Sequence, residues 1–123
     1  EAGGTKDIDI YNKLIRTCKR SFGIRSWQVA LDLFEECKRD PAVEPNEETF
    51  FQTMNACGRG KRIDKVWEIF DEMCSDTSLI PSIKMLCSVV YLTSRFSTHD
   101  DDLLDAHIQI VLERYKHYYY SNA

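Results

Sequence analysis

The side chains with chemical capacity are five cysteines, three histidines, six tyrosines, 16 lysines and arginines, and 20 aspartates and glutamates. The cysteines stand at positions 18, 37, 57, 74 and 87, so none forms a C-x-x-C redox or zinc motif. An odd number without close pairs fits a reducing compartment better than a disulfide framework. Each also falls within an apolar helical pattern, which predicts a small buried hydrophobe. His107 follows Asp100, Asp101 and Asp102. That set suggests a metal site, but three aspartates opening a helical pattern more simply meet the positive end of the helix dipole. No serine or cysteine carries a local nucleophile signature. Gly58-Arg59-Gly60 lacks the glycine spacing of a phosphate-cradling loop and predicts a turn. The expectation is no catalytic residue, no metal, no cofactor and no small-molecule substrate. What remains is binding chemistry: amides and hydroxyls that donate and accept, and cations that attract anionic surfaces. Four of the six tyrosines, Tyr115, Tyr118, Tyr119 and Tyr120, crowd one end. They fit either an aromatic cap or a protein interface, where tyrosine is enriched.

These residues must be positioned by a small scaffold. A chain of 123 residues allows one domain. With 43% apolar and 29% charged residues it is globular rather than disordered in composition. No run of about 18 apolar residues predicts a membrane span, and residues 1–10 hold neither a secretory apolar core nor an Arg-rich presequence. The net charge of −4 argues at first against a nucleic-acid partner.

Internal similarity sets the architecture. Ala30-Leu31-Asp32-Leu33-Phe34-Glu35-Glu36-Cys37 matches Val66-Trp67-Glu68-Ile69-Phe70-Asp71-Glu72-Met73 at an offset of 36, and Pro45 and Pro81 repeat the same offset. Upstream, Tyr11-Asn12-Lys13-Leu14-Ile15-Arg16-Thr17-Cys18 matches Phe50-Phe51-Gln52-Thr53-Met54-Asn55-Ala56-Cys57 at 39. A degraded third copy begins at Lys84-Met85-Leu86-Cys87. Its second half, from Leu103, places Ala106 40 residues after Val66. Each unit predicts two helices. The first pair buries Ile10, Leu14, Ile15 and Cys18, then Trp27, Ala30, Leu31, Phe34 and Cys37. Ser26 is its N-cap and Asp40-Pro41 its stop. The second pair buries Phe50, Phe51, Met54 and Cys57, then Ile63, Val66, Trp67, Phe70 and Met73. The third buries Leu86, Val89 and Val90, then, after a capping signal at residues 98–101, Leu104, Ile108, Val111, Leu112 and Tyr115. The fold class is all-α: about three antiparallel helix pairs stacked as a short solenoid. The units run 10–46, 48–82 and 84–116, between an extension at 1–9 and a Tyr-rich tail at 117–123.

Tyr11-Asn12-x-Leu14-Ile15, Ala30-Leu31-x-Leu33-Phe34-Glu35-Glu36 and Glu44-Pro45-Asn46 together resemble a pentatricopeptide repeat. So do Thr49-Phe50 through Gly58, Phe70-Asp71-Glu72-Met73 and Ile80-Pro81-Ser82. The resemblance spans roughly residues 9–115 and implies a right-handed α-solenoid. It also implies an organellar protein, of mitochondrion or plastid, whose family typically binds single-stranded RNA one base per repeat. The family's main base reader follows the first-helix aromatic, and its partner follows the closing proline. Carried over, this assigns Asn12 with Asn46 and Phe51 with Ser82. In the third unit it assigns Cys87, with no closing proline to supply a partner.

Charge divides along the same units. Segments 11–26, 48–62 and 84–97, which hold the first helices, carry +5, +2 and +2, and the rest of the chain carries −13. The resemblance places first helices on the concave side. A basic face is therefore expected there, from Lys13, Arg16, Lys19, Arg20, Arg59, Lys61 and Arg62. Such a face attracts RNA phosphate or an acidic protein despite the negative total. Three repeats address too few bases to select a transcript alone. The leading expectation is therefore a non-catalytic scaffold binding protein subunits of a large organellar complex: a mitochondrial ribosome, a respiratory complex or a photosynthetic complex. The alternative is an organellar single-stranded RNA-binding protein acting in RNA processing, stability or translation.

Overall fold

The computed structural model describes residues 6–21, 26–76, 79–96 and 101–120, without the side chains of 19–21, 76, 96 and 101–104. Six α-helices follow one another: α1 (Ile8–Ser21), α2 (Ser26–Arg39), α3 (Glu47–Arg59), α4 (Ile63–Asp76), α5 (Ile83–Phe96) and α6 (Asp101–Tyr119). Among the described residues no strand occurs, as the 3.6-residue apolar spacing requires. The expected stop before Pro41 is present, since α2 ends at Arg39. Of the capping signal expected at residues 98–101, positions 98–100 lie outside the described residues.

Consecutive helices pair, and the first helices of the pairs also meet: α1 packs on α3, and α3 on α5. α3 is the hub, touching α1, α2, α4 and α5. Its burial reflects that position, because eight of its thirteen residues, Gly58 among them, are inaccessible. The core runs through Ile15, Ala30, Phe34, Phe50, Met54, Val66, Phe70, Met73 and Val89, each 0–1% exposed. Phe34 meets Phe50 edge to face, with centroids 5.2 Å apart, and ties α2 to α3.

Several expected core positions fall elsewhere. In α1 the buried stripe is Tyr11, Ile15 and Cys18, while Ile10 and Leu14 are 41% and 38% exposed. Neither is among the side chains packed against the core. Cys87 is exposed and Cys74 partly so, and only Cys18, Cys37 and Cys57 are buried. Gly58 is not part of the turn, because α3 runs through Arg59. A Cβ on Gly58 would stand 3.0 Å from the Leu92 side chain, so the glycine admits α5 close to α3. Leu112 is also exposed, since α6 buries Val111 instead.

Polar contacts join the pairs. Lys38 bonds Glu72 at 2.9 Å, linking α2 to α4. Tyr11 donates its hydroxyl toward Glu36 of α2 and Asp40 just beyond it at 3.1 and 3.0 Å. Burial, reinforced by these two acceptors, holds its pKa far above the usual tyrosine value. The last helix attaches to α4 through His107, whose ring stacks on Trp67 at 4.2 Å, and through Arg114, 3.6 Å from Asp71. It continues past residue 116, so Tyr118 and Tyr119 are helical. The Tyr119 hydroxyl donates to the Pro81 carbonyl at 2.9 Å.

Candidate functional site

Asn12 lies on α1, one residue after the core aromatic Tyr11. Asn46 precedes α3 and is its N-cap, with extended backbone. Its side-chain oxygen accepts from the Thr49 amide at 3.1 Å and from the Thr49 hydroxyl at 3.0 Å, and that hydroxyl accepts from the Asn46 amide. This reciprocal capping box fixes which end of the Asn46 amide faces the helix. The same oxygen accepts from the Asn12 amide nitrogen at 3.2 Å. The two residues paired by the family resemblance are thus in direct contact. The orientation leaves the Asn12 oxygen pointing away, buried and without a protein partner. Such an orphaned acceptor costs about 1–3 kcal/mol.

Phe51 and Ser82 occupy the matching places one unit on. Ser82 caps α5: its hydroxyl accepts from the Met85 amide at 3.0 Å, and its own amide donates to Glu47 at 2.8 Å. Phe51 is half-buried, with the Lys84 ammonium 6.0 Å from its ring. Both post-proline residues therefore spend their acceptors on the following helix.

A hollow of about 170 Å³ lies beside Asn12, lined by Asp9, Asn12, Lys13, Arg16 and Glu48. A second, of about 120 Å³, lies beside Phe51, lined by Glu47, Glu48, Phe51, Ser82, Lys84 and Met85. Glu48 lines both. The Gln52 amide donates to Glu48 at 2.5 Å, and its own oxygen is buried and unpartnered.

The described residues form helices and no strand, and one stretch of the chain resembles a known repeat protein. Over 59 residues the chain is 37% identical to a chloroplastic pentatricopeptide repeat-containing protein of Arabidopsis thaliana. The matched stretch is 48% of this chain and 10% of that protein, so the chain spans a small part of the relative's length. No family model matches the chain, and no solved structure matches it.

The basic residues singled out from sequence occupy different settings. Lys13 and Arg16 edge the first hollow, and Arg59 is exposed at the end of α3. Lys61 is exposed in the α3–α4 turn. Arg62 is committed elsewhere: its guanidinium grips Asp64 with bonds of 3.2 and 3.1 Å and lies 4.6 Å from the Trp27 ring centroid. The side chains of Lys19 and Arg20 lie outside the described residues. Among the tyrosines, Tyr115 meets Tyr119 and Tyr120 at 5.5 and 5.1 Å, and burial raises the Tyr118 pKa. Tyr120 is 61% exposed.

The sequence reading missed the carboxylates of the hollows. Asp9 and Glu48 are separated by 39 residues, as are Asn12 and Phe51, so extending the first-helix alignment by one turn finds them. Among the described residues, no group of three or more His, Cys, Asp or Glu could hold a metal, and none of the helices is long and apolar enough to cross a membrane.

Proposed function

We propose that the chain is a non-catalytic scaffold, a right-handed α-solenoid of three antiparallel helix pairs that binds protein subunits of an organellar complex. One observation carries this reading. The partners of the base readers are consumed by the fold: the Asn46 oxygen takes three hydrogen bonds from within the chain, and Ser82 caps α5. The hollows beside them are also of mixed charge, with Asp9, Glu47 and Glu48 set among Lys13, Arg16 and Lys84. A surface of alternating sign suits a protein partner better than a phosphate backbone. The organellar setting rests on the likeness to a chloroplastic protein.

A second reading has its own support. The unsatisfied Asn12 oxygen, beside Lys13 and Arg16, favours a ligand carrying an N–H donor next to a phosphate, as single-stranded RNA does. Titration with short single-stranded RNA separates the two. The scaffold reading expects no binding at low salt, and stoichiometric copurification with protein subunits by mass spectrometry of the native material. RNA binding that falls steeply with salt and is weakened by Asn12→Ala or Arg16→Ala replaces it with the RNA reading.

A further inference from the structure

Four charged side chains, Asp9, Lys13 and Arg16 of α1 and Glu48 of α3, line one hollow together with Asn12. All four are exposed, and none forms an ion pair among the described residues. Opposite charges thus border one space of about 170 Å³ without closing on each other.

Asn12 is 8% exposed, and the orientation of its amide is fixed. The Asn46 oxygen faces the Thr49 amide to cap α3, so Asn12 presents its nitrogen to that oxygen, at 3.2 Å. The Asn12 oxygen is left buried, with no partner among the described residues. Across the hollow, Gln52 is 4% exposed and donates its amide to Glu48 at 2.5 Å, which steadies that carboxylate. Buried acceptors are seldom left unmatched. An unsatisfied amide oxygen between two carboxylates is matched by a cationic N–H donor.

We infer that this hollow receives an arginine side chain of a protein partner. The inference rests on the scaffold reading and names what that partner presents. A guanidinium carries five N–H donors in a planar fork, so it can serve the Asn12 oxygen and both carboxylates at once. Lys13 and Arg16 have long flexible stems, and their charged heads remain for an acidic residue beside the partner's arginine. A nucleobase would serve the oxygen and its phosphate the two cations, but Asp9 and Glu48 would then face an anion.

The test is nuclear magnetic resonance of the whole chain, isotope-labelled on nitrogen, titrated with the blocked peptide acetyl-Ala-Arg-Glu-Ala-amide. A second peptide carries citrulline for arginine, which keeps the shape and removes the charge. The arginine peptide is expected to shift the Asn12 side-chain amide signal saturably. Citrulline, Asp9→Asn and Glu48→Gln are each expected to weaken binding about tenfold, as for loss of a hydrogen bond to a charged group. Both substituted side chains are exposed, and circular dichroism checks that the helices persist. No saturable shift at Asn12 overturns the inference, as does equal binding of the citrulline peptide or full affinity in either variant. Protein subunits that copurify without any peptide shift overturn the arginine site and leave the scaffold reading standing. A shift of Asn12 by short single-stranded RNA in place of the peptide overturns both.

Discussion

Lys61 holds a φ of 64°, the left-handed conformation that costs a non-glycine residue about 1–2 kcal/mol. It does so because α3 closes there with two reverse bonds, Lys61 amide to Gly58 carbonyl and Arg62 amide to Cys57 carbonyl, both 2.9 Å. Lys61→Gly is expected to stabilise the fold by about 1 kcal/mol, seen as a higher urea midpoint. An unchanged or lower midpoint would show that the lysine side chain contributes more than its backbone strain costs. His107 gives a second residue-scale prediction. Burial lowers its pKa below the ordinary histidine value, so the unfolded chain binds the proton more readily. Stability is therefore fully present above the unfolded pKa of about 6.5. It declines as pH falls from there toward the lower folded value. His107→Phe, which keeps a ring on Trp67, is expected to remove that decline between pH 7.5 and 5.5 in thermal melts. If the variant loses as much melting temperature as wild type across this range, another group is responsible.

At the scale of elements, caps and close approaches decide where helices end and how they meet. Gly60 closes α3, and a Cβ there would stand 2.8 Å from Trp27 Cγ. Because the obstacle is the base of an indole wedged between α2 and the turn, Gly60→Ala is expected to cost about 1–3 kcal/mol. A denaturant melt indistinguishable from wild type would mean that Trp27 moves aside freely. At the other end of α3, Asn46→Ala removes the capping box and is expected to cost about 1–2 kcal/mol. Asn46→Asp keeps the acceptor and should retain most of that stability. Equal losses in the two variants would place the importance of Asn46 in its amide nitrogen instead. The helices themselves were legible from apolar spacing, and the Pro41 stop from local chemistry. The exposure of Cys87 was not, because its helical phase matches that of half-buried Phe51, and phase alone does not say what packs on a face.

For the whole molecule, α3 joins both ends of the chain, so damage at its contacts spreads. Phe34 is 1% exposed and packs edge to face on Phe50. Phe34→Ala is expected to cost about 3–5 kcal/mol, a large share of the roughly 5–15 kcal/mol typical of a domain. A loss below about 1 kcal/mol in a two-state urea melt would show that α2 is held by other contacts. The net charge of −4 also acquires meaning only at this scale. Its segregation into +9 on segments holding the first helices and −13 elsewhere predicted a basic face. Yet Asp9, Glu47 and Glu48 come from those same helical elements and line the hollows among the cations.

By itself, the sequence determined the six helices, because apolar periodicity is local and repeats along the chain, while the pairing of Asn12 with Asn46 came from the family resemblance. Only the tertiary structure decided how the polar groups are spent. It committed Asn46 and Ser82 to caps, left the Asn12 oxygen unsatisfied, and bound Arg62 to Asp64 and Trp27. Helical phase assigns a residue to a face, but whether that face is covered, and whether a donor or acceptor is already engaged, depends on neighbours distant in the chain.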